Sequence, residues 1–310
     1  MQRMNAFVLA SSGAHAPEFA SVAVPQVGER ELLVRIMAVG VGIHDSYFLP
    51  GGMAFPFPIG IEAAGIVEAI GAGVDSHKVS DRIAFVSMMQ PKGGVWAEYA
   101  VISVDSLILP MPDAMTFEQA AAVPVAGNTA LRALRALTDL PDDGSLFIAG
   151  ASGAVGTFAV QLANQRGWAV AASASPRNHD YLIELGARLA VDYHEADWSE
   201  DVLRWSTDGV DGAIAIQPNT TASSMRVVKS GGAVVTVSAD QVESAGGVHV
   251  TGLAYGADVR SELDALMDDI MTDRITLKIE QVYPFAEADR ALAKVQTRRA
   301  RGKIVLSLSA

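Results

Sequence analysis

The stretch IAGASGAVGTFAVQLA, residues 148 to 163, constrains the fold more than any other part of this 310-residue chain. The apolar run SLFIAG enters it, and Gly150, Gly153 and Gly156 stand three apart. Val155, Phe158, Ala159, Leu162 and Ala163 then fall at the i, i+3, i+4, i+7, i+8 spacing of a helix with one buried face. A strand that turns on glycine and leaves as a helix aims free backbone N–H groups and the positive helix end at one point. A pyrophosphate suits that point. The spacing GxxGxxG is one residue longer than GxGxxG, so the surroundings have to decide between a nucleotide site and a plain packing turn.

They point to a nucleotide fold. WAVAAS reads as a second buried strand, followed by a helix through Tyr181, Leu182 and Leu185 that Gly186 ends. RLAVDY, GAIAIQ, AVVTVS and VHVTGLAY continue the strands, with helical spacers such as TTASSMRVVKSGG between several of them. Such alternation from about residue 126 predicts a parallel, doubly wound sheet with right-handed crossovers. Residues 1 to about 115 have another texture. ELLVRIMAVGV, GIVEAIGAGV, DRIAFVSM and VWAEYAVI are short strands broken by Gly and Pro, the pattern of an irregular, mostly antiparallel β domain. After the acidic amphipathic helix DVRSELDALMDDIMTD the tail reverts to strand, helix, strand and is expected to rejoin the first domain.

Charge and cysteine content remove several classes of function. With 23 basic against 35 acidic residues the formal charge is −12, which repels a nucleic acid, and no run of Lys and Arg offsets it. The absence of cysteine excludes a disulfide, a thiolate nucleophile and a Cys-ligated metal, and fits a cytoplasmic protein. Residues 144 to 165 carry no charge, yet four glycines with Ser145, Ser152, Gln161 and Asn164 make a poor membrane cylinder. MQRMNAFVLASSG is too short in its apolar part for a signal peptide.

A hydrolase elbow competes for the same turn, because GASGA approaches GxSxG with Ser152 as nucleophile. Ala154 replaces the final glycine, and His249, the histidine a triad would need later in the chain, lies within an apparent strand. For a nucleotide, the end of the second strand sets the preference. An NAD-binding fold places a carboxylate there for the ribose 2′-OH. This chain reads Ala172, Ser173, Ala174, Ser175, then Arg177, whose guanidinium can fork onto a 2′-phosphate with Ser173 or Ser175 adding a hydroxyl. NADPH is the expected cofactor.

Taken together the chain resembles the zinc-free branch of the medium-chain dehydrogenase/reductase superfamily, the quinone oxidoreductase or enone reductase group. AVGVGIHDSYFLPGG (38 to 52), PIGIEAAGIVEAIGAGV (58 to 74), GGVWAEYAVI (93 to 102), AAAVPVAGNTALRAL (120 to 134), GASGAVG, SPRNHDYLIELGA (175 to 187) and the closing RARGKIVL carry the likeness. It implies α/β architecture: a GroES-like β-rich catalytic domain from residues 1–125 and 259–310, with a Rossmann NADP-binding domain, 126–258, inserted. It also implies a homodimer paired through the last Rossmann strand, near VHVTGLAY. The cofactor-binding residues would be Gly150, Ser152, Gly153, Ala154, Val155, Gly156, Ser173, Ser175 and Arg177, with Thr129 of GNTA contacting the nicotinamide region.

Two departures from the wider superfamily matter. Zinc-dependent relatives place Cys where Gly42 stands and His where Ile61 stands, and neither residue here can ligate a metal. Zinc-free quinone reductases often place Asn at the Gly42 position to hold the substrate oxygen, and that donor is missing too. His44 and Tyr47, in the segment that faces the nicotinamide in relatives, are the candidate catalytic donors for an enone, enal or quinone substrate. The competing expectation is an NADPH-binding sensor or scaffold with little turnover.

Overall fold

The chain begins as a hairpin, β1 (Arg3–Leu9) and β2 (Glu18–Ala23), antiparallel from Arg3 opposite Ala23 to Val8 opposite Glu18. In β3 (Glu31–Val41) buried residues alternate with half-buried ones as far as Met37, the period of a strand with one face in a core. β4 (Phe57–Pro58) closes the open side of the hairpin. β5 (Glu62–Ile70), β6 (Arg82–Val86), β7 (Tyr99–Ser103) and β8 (Leu107–Pro110) complete an antiparallel array in which β3 pairs with both β5 and β7. Thr116 and Gln119 form a reciprocal capping box that starts α1 (Phe117–Ala121). The computed structural model describes residues 2–14, 16–87, 90–137 and 139–308, so His15 lies outside the described residues.

From α2 (Pro124–Arg135) onward the alternation read from the sequence is realised. β9 (Ser145–Ala149), α3 (Ala154–Gln165), β10 (Ala169–Ser173), α4 (His179–Glu184), β11 (Leu189–Val191), α5 (Trp198–Trp205), β12 (Val210–Ala215), α6 (Thr221–Met225), β13 (Val228–Thr236) and β14 (His249–Thr251) follow in order. The six strands pair in parallel in the spatial order β11-β10-β9-β12-β13-β14. Numbered within the sheet, that is 3-2-1-4-5-6, the doubly wound dinucleotide-binding order, with its switch point between β9 and β12. Two readings shorten. Of TTASSMRVVKSGG only Thr221–Met225 is helical, because Val228 already pairs with Val210 and the strand bulges past Gly231 and Gly232. Of VHVTGLAY only His249–Thr251 join the sheet.

The tail returns as α7 (Arg260–Met271), β15 (Ile279–Pro284), α8 (Ala288–Gln296) and β16 (Lys303–Ser307), and β16 lies antiparallel to β3. Two units result. One holds residues up to Val125, Leu263–Thr272 and Ile279 onward, and the other holds Ala126–Glu262 with Asp273–Lys278. Glu262 stays with the second unit by pairing with Arg135 at 3.0 Å and Arg166 at 3.4 Å. Gln161 holds Thr276 there through both its backbone groups, at 2.7 and 3.0 Å.

Each unit has its own core. In the first, Phe7, Ile36, Ile59, Phe85, Trp96 and Leu306 are buried together. In the second, Phe147 stacks on Trp198 with 5.1 Å between ring centroids. No helix among the described residues is long and apolar enough to cross a membrane.

Candidate functional site

In the second unit, the three glycines after β9 serve three different ends. Gly150 has φ +79°, a left-handed conformation that a side chain would strain, and a Cβ there would sit 2.6 Å from Gln217 Cγ. Gly156 lets α3 approach the strand end, since its Cβ would meet the Ala151 backbone at 2.4 Å. Gly153 needs neither freedom. Its φ of −80° and ψ of 178° are ordinary extended backbone, and nothing lies within 3.8 Å of where its Cβ would be. The fold itself does not demand glycine at 153.

Gly153 is also the N-cap of α3, a twelve-residue helix with no acidic residue in its first turn and no side-chain cap. Helix geometry leaves the amides of Ala154, Val155 and Gly156 without partners inside the helix, and the macrodipole adds partial positive charge at that end. The residues present therefore fit the pyrophosphate of a dinucleotide. Ser152 Oγ accepts from Asn178 Nδ2 at 3.1 Å, which ties this turn to the short 3-10 turn Pro176–Asn178 after β10. Arg177 is exposed in that turn, Ser175 is half-buried at its start, and Ser173 is buried at the end of β10. Thr157 Oγ1 and the Tyr181 hydroxyl, 2.9 Å apart, pin α3 to α4.

Thr129 is half-buried in α2. The elbow reading of Ser152 fails on distance. His249 lies on β14, three strand positions from β9, which at about 4.8 Å per strand puts it on the order of 14 Å away.

In the first unit, His44 and Tyr47 share the tight turn after β3. Their rings meet edge to face at 5.1 Å, and Phe48 contacts His44 at 5.9 Å. Tyr47 is 57% exposed and forms part of the wall of an open cavity of about 650 Å³, with Ser46, Leu49, Met53, Phe55 and Gln296 among the other walls. Partial burial and the positive charge of Arg298 hold the His44 imidazole below its usual pKa, so it is neutral at physiological pH.

The two positions that hold zinc in metal-dependent relatives carry no donor side chain. The Gly42 amide is engaged by Asp45 Oδ2 at 3.0 Å, and Ile61 is buried with its carbonyl accepting from the Ser87 amide at 2.6 Å. The nearby carboxylates are engaged as well. Glu62 forms a buried ion pair with Lys303, and its other oxygen accepts the Val125 amide at 2.7 Å. Among the described residues no group of three or more His, Asp or Glu side chains could hold a metal, so this donor set does not fit zinc.

Asp45, Trp96, Asn178 and the Glu62–Lys303 pair have no counterpart in the residues selected from the sequence. Asp45 and Trp96 are 51 positions apart, Glu62 and Lys303 are 241 apart, and no local periodicity links them. The only available signal was an acidic residue embedded in an apolar segment, as in PIGIEAAGIV.

Residues 28–113 match the alcohol dehydrogenase GroES-like domain family, and residues 185–306 match the zinc-binding dehydrogenase family. A quinone oxidoreductase of Pseudomonas aeruginosa is 30% identical over 320 residues, which span 96% of this chain and 97% of that one. A trans-enoyl reductase of Aspergillus terreus is 35% identical over 195 residues, 56% of this chain and 64% of that one. Among solved structures, the quinone oxidoreductase from Coxiella burnetii superimposes with a TM-score of 0.88 at 26% identity, covering 99% of this chain and all of that one.

Proposed function

The chain belongs to the medium-chain dehydrogenase/reductase superfamily, in its quinone oxidoreductase group, and from that premise we propose that it is an NADPH-dependent, metal-free reductase of small α,β-unsaturated carbonyl compounds or quinones. The observation that carries the reading is the glycine turn: a bare Gly153 at an open helix N-terminus, followed after β10 by Arg177 where an NAD-binding fold would carry a carboxylate. The bound nicotinamide supplies the hydride. The amides of Ala154, Val155 and Gly156 hold the pyrophosphate, Arg177 with Ser175 meets the 2′-phosphate, and Thr129 contacts the nicotinamide end.

Negative charge that develops on the acceptor oxygen is met by hydrogen bonds in the absence of a Lewis acid, and an enolate spreads that charge better than an alkoxide does. Tyr47 donates to that oxygen through its phenol hydroxyl. Neutral His44 packs edge-on against the Tyr47 ring and keeps one N–H as a second donor.

The assay is direct. Purified protein is mixed with NADPH and a panel of enones, enals and quinones, and nicotinamide absorbance is followed. Tyr47→Phe is expected to lower kcat on the best acceptor roughly tenfold with little change in NADPH affinity. Full kcat in Tyr47→Phe, with KM raised in Tyr47→Ala, would reduce Tyr47 to a wall of the cavity. NADPH binding without oxidation by any acceptor would leave a sensor or scaffold.

Prolonged dialysis against a chelator is expected to leave activity unchanged. More than about half an equivalent of zinc in the purified protein, with activity lost on its removal, would refute the metal-free mechanism. In solution we expect a homodimer joined edge to edge at β14, the outermost strand of the doubly wound sheet, where Tyr255 nearby is 76% exposed. Sedimentation at micromolar concentration distinguishes it from a monomer.

A further inference from the structure

Asp45 lies between His44 and Tyr47 in the chain, yet it is 0% exposed while Tyr47 is largely in solvent. Its Oδ2 accepts two hydrogen bonds, from the Gly42 amide at 3.0 Å and from the Trp96 indole N–H at 3.0 Å. Trp96 is a fixed point of the β core. It is fully buried, its amide donates to the Ile59 carbonyl at 2.8 Å, and its carbonyl accepts the Phe7 amide at 2.8 Å. The Asp45 carbonyl in turn accepts the Gly60 amide at 3.3 Å. The other bonds of the turn are local: Asp45 to Gly42, and Tyr47 and Phe48 to the His44 carbonyl. With more than half of its surface in solvent, Tyr47 depends for its orientation on the turn backbone as well as on its edge-on contact with His44.

We propose that Asp45 is the positioning residue of this turn, and that the chain Trp96–Asp45–Gly42 sets the direction in which Tyr47 presents its hydroxyl. The inference rests on the reading of Tyr47 as the donor to the substrate oxygen. Asp45 itself touches no reacting atom; its side chain is closed off beneath the turn.

The latch also responds to pH. The charged groups that face Asp45 are Glu62 of β5 and Lys303 of β16. Burial carries the Asp45 carboxyl up to about 7, with Glu62 adding to the rise and the Gly42 amide, Lys303 and the Trp96 indole opposing it. Its Oδ1 has no hydrogen-bond partner. An ionised carboxylate holds two N–H donors more strongly than a neutral acid does. Those bonds offset only part of the burial cost, so the closed turn is held most firmly while Asp45 is protonated and loosens as pH rises toward neutrality.

The test uses the full chain with Asp45→Asn and Trp96→Phe, each alone and in the Tyr47→Phe background. Asp45→Asn is expected to lower kcat on the best acceptor about tenfold, and to cost less than about twofold once Tyr47 is already Phe, because a positioning residue has nothing left to position. NADPH affinity is expected to stay within about twofold in every variant, which a general loss of structure would not allow. Trp96→Phe should show the same non-additivity and serves if Asp45→Asn folds poorly.

Two further readouts are independent of turnover. Amide hydrogen exchange over residues 42–48 should accelerate in Asp45→Asn. The tryptophan fluorescence of the parent should show a transition near neutral pH that is absent from both variants. Equal losses in the two Tyr47 backgrounds, or unchanged exchange over 42–48 in Asp45→Asn, would overturn the proposal. If the parent reduces no acceptor, the reading of Tyr47 fails, and the exchange and fluorescence results alone decide whether Asp45 holds the turn.

Discussion

Lys303→Met is expected to destabilise the first unit by about 3–5 kcal/mol, the usual consequence of removing one partner from a buried ion pair. The Lys303 and Glu62 side chains are 6% and 1% exposed, so neither charge is screened by water. Without the ammonium, Glu62 keeps the Val125 amide as a donor, and its carboxylate must either remain charged in the core or take up a proton.

The pH dependence distinguishes this mechanism from a simple packing defect. Burial already raises the Glu62 pKa above 4.5 while Lys303 pulls it down, so losing Lys303 raises it further. A carboxyl that is harder to ionise when folded binds more protons in the native state than in the unfolded one. Stability then falls as pH rises from about the unfolded value upward. The deficit of Lys303→Met relative to the parent should thus be smallest in acid and grow toward neutral pH, as read from urea midpoints at several pH values. Adding Glu62→Gln should recover much of the loss by removing the orphaned charge. A Lys303→Met midpoint equal to that of the parent at pH 7 would show that the pair contributes nothing.

Arg177→Ala is expected to abolish a preference for NADPH over NADH that is roughly tenfold to a hundredfold in the parent, the size of a charge-assisted contact to the 2′-phosphate. Arg177 stands in the exposed turn after β10, and Asn178 beside it anchors that turn to Ser152 in the turn after β9. The side chain can therefore act on the ribose end without disturbing the pyrophosphate cradle. NADH affinity is expected to stay nearly constant while NADPH affinity falls to meet it. Equal affinities for the two nucleotides in the parent, measured by titration, would refute the cofactor assignment. A preference that survives Arg177→Ala would move the 2′-phosphate contact to Ser173 or Ser175, and the buried position of Ser173 makes Ser175 the one to vary first.

The sequence by itself determined what rests on neighbours in the chain. Strand, glycine turn and helix at 145–165 depend on a positive φ at Gly150 and on a 3.6-residue period, both of which are local. The doubly wound sheet follows from repeated alternation, and the missing carboxylate after β10 can be read directly. Local reading failed where pairing overruled composition, as at Val228–Gly232, where two glycines lie in a bulge of β13 bracketed by the Val228–Val210 and Ala233–Gly212 pairs with β12.

Only the tertiary structure decided which polar residues work together. It separated the three glycines by role, since Gly153 alone is bare for no reason internal to the fold. It also placed Asp45 under the Tyr47 turn against Trp96, and Glu62 against Lys303. Buried polar groups must find partners wherever the fold brings a donor near an acceptor, and that match is made by the packing of β3, β5 and β16 rather than by spacing along the chain.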